Sequence, residues 1–486
     1  MLHRFFFILQ FSLIFSIPLD GLTLFTPAPN WQSEYPYSFD FTFTYLINNN
    51  EEIVHQWSHP SRPASMAYLM PDSTLYYPCL TQNSYFPVAA AGGRIIKYNW
   101  EGETLWDFTW SGTDFIQHHD IEVLPNGNIL LLSNERISMQ DAIDFGRIEI
   151  EGEIWPDKIV EIQPTGPTNG IVVWEWRFWD HLIQDVDSNK PNFGVISEHP
   201  ERLDINVAEI VEFGPAGEYS GDWMHANSIH YNSNLDQIVI SCRRTNEFYI
   251  IDHSTTTEEA ASSSGGNSGK GGDFLYRWGN PRNYNRGEIS DQVTIAQHSV
   301  NWVPEGFPGE GNILIFNNGF EATYPVQNIG SSVIEILPPL DENNNYILNM
   351  SEAYGPQEFE WYFDGGEEFE FLTIIQGGAF RLPNGNTLIT SFGNPTIFEA
   401  SPEGNIEWNV NFANSGIARA QKFSYDYFQE NLLGDVNFDG FLNVNDVLIL
   451  VNIILGINNP ILDGDLNSDS FLNISDILIL IQIILN

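Results

Sequence analysis

Five polar residues from distant stretches of the chain are of the types that grip and turn over a small oxyanion: His119, His225, Asn227, Arg243 and His298. Each lies in a strand-like run beside a turn. The runs are Gln117-His118-His119-Asp120, Asp222-Trp223-Met224-His225-Ala226-Asn227-Ser228, Ile240-Ser241-Cys242-Arg243 and Gln297-His298-Ser299. A guanidinium forks onto two oxygens of a tetrahedral anion, and an imidazole serves as nucleophile, acid or base near neutral pH. Converging with an amide on one point, these groups would suit sulfate or phosphate. His225 and Asn227 are two apart and share a face of a strand. His118 and His119 are neighbours and should point to opposite faces, which leaves His118 outside the set. Taken singly, each histidine is as well explained as a structural residue, so the case rests on convergence.

The elements that could produce convergence are strands. From about residue 60 to 425 short β runs alternate with turn residues, as in Gly127-Asn128-Ile129-Leu130-Leu131-Leu132 and Gln237-Ile238-Val239-Ile240. Leu124-Pro125-Asn126-Gly127-Asn128-Ile129-Leu130 returns as Leu382-Pro383-Asn384-Gly385-Asn386-Thr387-Leu388, with Gly311-Asn312-Ile313-Leu314 as a degenerate copy. Asn-Gly between strands is a strong hairpin signal, with positive φ expected at both positions. A second recurring element is a glycine, then strand residues, then tryptophan: Gly102 to Trp106, Gly170 to Trp174 and Gly404 to Trp408. Two hairpin signatures recurring along a long chain predict an all-β fold, a β-propeller over residues 61–425 for which six blades fit the length. A β-helix or a pair of sandwiches is the alternative. Residues 22–60 read as a small β extension ahead of the propeller. Residues 254–272, rich in Ser, Gly and Thr, read as a flexible loop between strands.

On these motifs residues 60–425 resemble bacterial arylsulfate sulfotransferases, of the kind independent of an activated nucleotide sulfate. The resemblance rests on His-His-Asp followed by Leu-Pro-Asn-Gly-Asn, on Asp222-Trp223-x-His225-x-Asn227-Ser228-Ile229, and on Ser241-x-Arg243. It also rests on Gln297-His298 followed by Gly311-Asn312-Ile313-Leu314-Ile315-Phe316-Asn317-Asn318-Gly319, and on Gly378-Ala379-Phe380-Arg381-Leu382-Pro383-Asn384-Gly385-Asn386. It implies a six-bladed propeller with its site at the channel mouth. It also implies transfer of a sulfuryl group from an aryl sulfate ester to a phenolic acceptor. By motif, His298 resembles the histidine that becomes transiently sulfonated. His119, His225, Asn227 and Arg243 resemble the groups that hold the sulfuryl oxygens and move protons. No metal or nucleotide is implied for the transfer itself. Two other readings stay open: a non-catalytic propeller that binds polysaccharide or protein, and an aryl sulfate hydrolase in which water replaces the phenol.

Composition narrows the setting. Of 486 residues, 64 are acidic and 19 basic, a net charge of −45, which argues against nucleic-acid binding. The chain begins Met1-Leu2-His3-Arg4 and continues apolar from Phe5 to about Pro18, the pattern of a secretory signal peptide over residues 1–21. A secreted, cell-surface or periplasmic protein is expected, with no membrane span after cleavage. Cys79 and Cys242 are the two cysteines, too few for a disulfide framework and without metal-ligand spacing.

Residues 432–486 change character, and no Lys or Arg follows Lys422. Asp435, Asn437, Asp439, Asn443 and Asp446 fall at positions 1, 3, 5, 9 and 12 of a twelve-residue loop. Asp465, Asn467, Asp469, Asn473 and Asp476 repeat the spacing thirty residues on. Hard oxygen ligands at these positions are what Ca²⁺ requires. Each loop leads into an apolar helix, with no helix before it. That arrangement, with Asp at position 12, resembles a type I dockerin, a small α-helical calcium-binding module that implies a cohesin partner. Ser470 stands at position 6, where glycine is expected, which predicts a weaker second site.

Overall fold

The computed structural model describes residues 17–29, 42–81, 85–86, 90–213, 219–319, 330–366, 371–392, 395–412, 415–428, 442, 444–455, 466–467 and 472–485. Six four-stranded antiparallel sheets form the blades of a β-propeller. The first blade runs Tyr68–Leu69, Leu75–Leu80, Gly93–Tyr98, Thr104–Thr109, and the second Phe115–Val123, Ile129–Glu135, Asp157–Pro164, Gly170–Arg177. The third runs Ala226–Asn232, Gln237–Cys242, Glu247–Asp252, Tyr276–Trp278, and the fourth His298–Trp302, Ile313–Asn317, Ser332–Ile336, Trp361–Phe363. The fifth runs Gly378–Arg381, Thr387–Ser391, Thr396–Ala400, Ile406–Asn411.

The sixth blade joins the two ends of the sequence. Ser415–Ser424 pairs with Gly21–Pro29, which pairs with Thr42–Ile47 and then Ile53–His59. Segment 22–60 is therefore not an extension ahead of the propeller; it supplies three strands of the closing blade. The cause is burial. Leu22, Leu24, Leu46 and Trp57 pack with Leu75, Tyr77 and Ile96 of the first blade, while Phe25 and Ile47 pack with Leu388, Ile397 and Val410 of the fifth. An open ring would leave both faces wet. Lys422 adds a buried ion pair with Glu399 of the fifth blade and donates to Asn49 Oδ1 at 2.6 Å.

The repeat signatures mark fixed places in a blade. Leu124–Asn128, Leu382–Asn386 and Gly311–Asn312 each connect the first strand of a blade to the second. Only the glycine of each turn, at φ of 82 to 90°, is left-handed, and neither Asn126 nor Asn384 is. The Leu124 carbonyl accepts from Gly127 N at 2.9 Å, so this is an ordinary turn closed by a left-handed glycine rather than a two-residue Asn-Gly hairpin. The Gly-to-Trp signatures mark fourth strands. Segment 254–272 is tied down: Thr256 caps a helix over Thr257–Ala260, and Asp273 beyond it holds His181 at 2.8 Å. Cys79 and Cys242 are buried, unpaired and in different blades.

In the C-terminal region the helices Val444–Ile454 and Ile474–Ile484 pack together through Leu450 and Leu480. No helix among the described residues is long and apolar enough to cross a membrane.

Candidate active site

First strands of neighbouring blades lie side by side, and three of them break at one point. In Phe115–Val123 the register jumps between Gln117 and Ile121, with His119 at φ 49°. At Ala226–Asn232 it jumps between Ala226 and Ser228, just after His225 at φ 56°. In His298–Trp302 it jumps between His298 and Asn301, with Ser299 at φ 51°. Such bulges re-aim side chains and are common beside active sites. Left-handed backbone at a residue bearing a Cβ costs about 1–3 kcal/mol, so surrounding packing must hold each one.

The bulges turn His119, His225 and His298 into one cavity of about 170 Å³, shared with Arg243 from the turn after Gln237–Cys242. Arg62 and Gln376 also line it, and Leu80, Ile375 and Phe392 give it an apolar side. Four of the five residues singled out in the sequence thus meet. Asn227 stands behind the wall. Its Nδ2 donates to the Gln297 carbonyl at 2.7 Å, bracing the segment ahead of His298, and no hydrogen bond reaches its buried Oδ1.

His298 is held in one tautomer. Its Nδ1 lies 2.8 Å from Asn318 Oδ1 and 3.0 Å from the Ala296 carbonyl, two acceptors, so Nδ1 carries the hydrogen. The orientation of the Asn318 amide is itself fixed, because Nδ2 donates at 2.8 Å to the carbonyls of Thr373 and Gln376. His298 Nε2 therefore carries no hydrogen, and its lone pair accepts from the Gln376 N–H at 3.3 Å. Burial first, and the nearby Arg243 second, lower the His298 pKa to about 3, so the ring is neutral at neutral pH.

Of the other two imidazoles, His225 is backed directly by a carboxylate and His119 by a second imidazole. His225 Nδ1 is 2.6 Å from Asp222 Oδ2. Burial alone would raise Asp222, yet His225 beside it prevails and holds the carboxyl below its ordinary value. His119 packs edge-on against His225, ring centres 4.8 Å apart. Burial, then His225, His118, His298 and Arg419, hold His119 protonation well below its ordinary range. His118 does not line the cavity, as strand alternation predicts, but the left-handed turn at His119 brings the two Nδ1 atoms within 2.9 Å. Below the cavity Arg419 pairs with Asp120 at 2.8 Å and donates to Ser65, forming a charged floor that Tyr68 also engages.

Sequence reasoning passed over Asp222, Asn318, Asp157, Gln376 and Arg62. Asp222 and Asn318 lie inside motifs already singled out. Gln376 precedes the Gly377-Gly378 pair, and nothing near Arg62 marks it.

Of the ten calcium-ligand candidates, Asp446, Asn467, Asn473 and Asp476 are described; Asp435, Asn437, Asp439, Asn443, Asp465 and Asp469 lie outside the described residues. Asp446 and Asp476, the two position-12 residues, are fully buried. Asp476 accepts from Leu466 N at 3.0 Å and Asn473 N at 2.9 Å, which draws its loop shut. Buried carboxylates in a stretch with no Lys or Arg need a counter-charge, and the donor set fits Ca²⁺.

Comparison with known proteins gives two family matches. The model described as arylsulfotransferase (ASST) matches residues 65–411, and that described as dockerin type I domain matches residues 433–485. A search of curated proteins returned no match. Among solved structures, a protein of unknown function from Bacteroides caccae is 11% identical with a TM-score of 0.42, covering 83% of this chain and 99% of its own. Virginiamycin B lyase from Staphylococcus aureus is 12% identical with a TM-score of 0.33, covering 81% and 89%. Identities and scores this low say nothing about activity.

Proposed function

The chain belongs to the arylsulfotransferase family, and on that premise we propose that it moves a sulfuryl group from an aryl sulfate ester to a phenolic acceptor through His298. Membership supports a sulfotransferase-type activity; the route and substrates are our reading. The observation that carries it is the state of His298: neutral, locked as the Nδ1–H tautomer, with Nε2 as a lone pair in a cavity that also holds Arg243. An imidazole of that kind is a nucleophile without prior deprotonation. In the first half-reaction Nε2 bonds to sulfur, the sulfur–aryloxy bond breaks, and the phenolate leaves with a proton. In the second, an acceptor phenol loses its proton as its oxygen takes the sulfuryl group from Nε2. Arg243 steadies the sulfuryl oxygens as charge redistributes, and the Gln376 N–H stands beside the bond that forms. His119 and His225 handle the protons. Asn227 keeps the His298 segment in place.

The test is incubation with 4-nitrophenyl sulfate, with and without phenol, followed by mass analysis of the His298 peptide. Phenol-dependent release and a sulfonate on His298 support transfer. Release that ignores phenol means hydrolysis, and a His298→Asn variant with full activity sinks the covalent route.

For residues 433–485, a dockerin type I module, we propose Ca²⁺ in both loops and a cohesin module as partner, which fits an exported protein. An N-terminal signal peptide belongs to the same proposal, expected over residues 1–21 but ending before the strand Gly21–Pro29.

A further inference from the structure

Given transfer through His298, the reading on which this inference rests, two residues outside the cavity bear on its proton chemistry. His118 Nε2 lies 2.8 Å from Asp157 Oδ1, and both side chains are almost wholly buried. Asp157 also accepts from Asn134 Nδ2 and from the N–H of Ala226, each at 2.9 Å, so it is fixed to two blades at once. Among the described residues its ion-pair partner is His118. The contact does not meet hydrogen-bond geometry, but a bare ring lone pair 2.8 Å from a carboxylate oxygen would be repelled, so His118 Nε2 carries the hydrogen and His118 Nδ1 is bare. Two Nδ1 atoms 2.9 Å apart need one hydrogen between them, and it must then come from His119. His119 Nε2 is left as the remaining basic nitrogen of a ring that lines the cavity.

We infer that His118 and Asp157 are positioning residues that set the tautomer of His119 and receive the positive charge when His119 accepts a proton from the incoming phenol. The phenol O–H breaks and its proton bonds to His119 Nε2. The hydrogen on His119 Nδ1 passes to His118 Nδ1, and the phenol oxygen bonds to sulfur as the sulfur–Nε2 bond of His298 breaks. The net cation ends on His118, against the Asp157 carboxylate, instead of on His119 amid His225, His298 and Arg419. The proton left on His118 is the one that the same line, run backward, returns to the next departing phenolate. It also gives a reason for the φ of 49° at His119: without that bulge, strand alternation would hold the two rings apart.

The experiment uses the full chain, sulfonated with 4-nitrophenyl sulfate and then mixed with phenols of graded acidity at one mildly alkaline pH. His118→Phe and Asp157→Asn should slow transfer to unsubstituted phenol by about 100-fold, the usual worth of general base catalysis. Transfer to a nitrophenol already ionised at that pH should fall only a few-fold, because it has no proton to give. His118→Gln, which can accept from His119 Nδ1 but cannot relay, keeps the steep dependence on acceptor acidity and guards against misfolding of the bulkier change. Loss by one common factor for every acceptor would overturn the inference and leave these residues merely structural. A wild-type protein that never accumulates sulfonate on His298 would instead refute the transfer reading.

Discussion

Asn318→Ala tests the proposed nucleophile without touching it. Asn318 is fully buried and reaches His298 with one oxygen while its nitrogen serves two carbonyls. As Nε2 bonds to sulfur the His298 ring becomes cationic, so the bond from Nδ1–H to Asn318 Oδ1 grows from a neutral bond into a charge-assisted one. Bonds to charged groups are worth about 1.5–3 kcal/mol against about 1 for neutral ones. Much of that contribution therefore appears only in the transition state, and 1.36 kcal/mol is tenfold in rate. The difference, about 0.5–2 kcal/mol, should slow sulfonation by roughly 2- to 30-fold, tempered toward the lower figure because the Ala296 carbonyl still accepts from Nδ1 at 3.0 Å. KM for the aryl sulfate should change little, since Asn318 does not line the cavity. Stability should drop by about 1–3 kcal/mol for the Gln376 carbonyl left without its donor, whereas the Thr373 carbonyl keeps Ser331 Oγ at 3.2 Å. The assay is rapid-quench measurement of sulfonated protein from 4-nitrophenyl sulfate, with circular dichroism to establish folding. A folded variant that sulfonates at the wild-type rate would refute the claim that a held tautomer matters.

Arg243→Lys replaces a planar fork by a point charge and should lower kcat/KM for aryl sulfates by about 100-fold, a loss measurable in steady-state kinetics. Lys422→Ala leaves the buried Glu399 of the fifth blade without its cation and should cost about 3–5 kcal/mol, read as a shift in the urea midpoint. His298 and His59, with pKa values lowered to about 3, and His230, lowered to about 4, stay neutral in the folded chain while the unfolded chain protonates them near 6.5. The unfolded state thus binds more protons as pH falls from about 6.5 toward 4, and stability must fall with it, by up to about 4 kcal/mol per unit for three such groups. Glu122, whose carboxyl burial raises well above its ordinary value, binds its proton more readily in the folded state and offsets part of this at the acid end. Thermal midpoints across that window check it, and a flat profile would contradict it. Calcium removal with a chelator should reduce helical circular dichroism while aryl sulfate turnover persists, because the four described candidate ligands all belong to residues 433–485; loss of turnover would place calcium in the propeller.

The propeller was legible because its signals are local. The turns at Gly127, Gly311 and Gly385 each carry their own glycine, and repetition of two signatures along the chain is a property of sequence alone. The meeting of His119, His225, Arg243 and His298 was legible for the same reason, since a ring of blades brings first strands together wherever they fall in the chain. Ring closure was not. Pairing Gly21–Pro29 with Ser415–Ser424 depends on which hydrophobic faces are left over after five blades form, and nothing near Leu22 or Phe25 states that. His118 lies off the cavity as alternation requires, but its contact with His119 was hidden, because alternation holds only for regular strands and positive φ at a histidine is not written in composition. Asn227 shares its strand face with His225 by count, yet the break between Ala226 and Ser228 separates the two, putting one in the cavity and the other behind it.

The same burial that keeps His298, the proposed nucleophile, neutral makes every other charge at the site costly. A neutral imidazole needs exclusion of water, and exclusion of water means that a proton taken up by His119 or His225 cannot be screened by solvent. The arrangement answers this with geometry. Each proton-handling ring has a carboxylate behind it, Asp222 directly at His225 and Asp157 through His118 at His119, while His298 has only neutral acceptors in Asn318 and the Ala296 carbonyl. A carboxylate behind His298 would raise its basicity and draw a proton onto Nε2, blocking the lone pair. Asn318→Asp should therefore make sulfonation depend on pH where the wild type does not, with rates falling as pH drops and His298 binds a proton. Measured between about pH 5 and 8, a rate for Asn318→Asp as flat as that of the wild type would show that amide and carboxylate are equivalent there, and that the neutrality of the Asn318 partner is incidental.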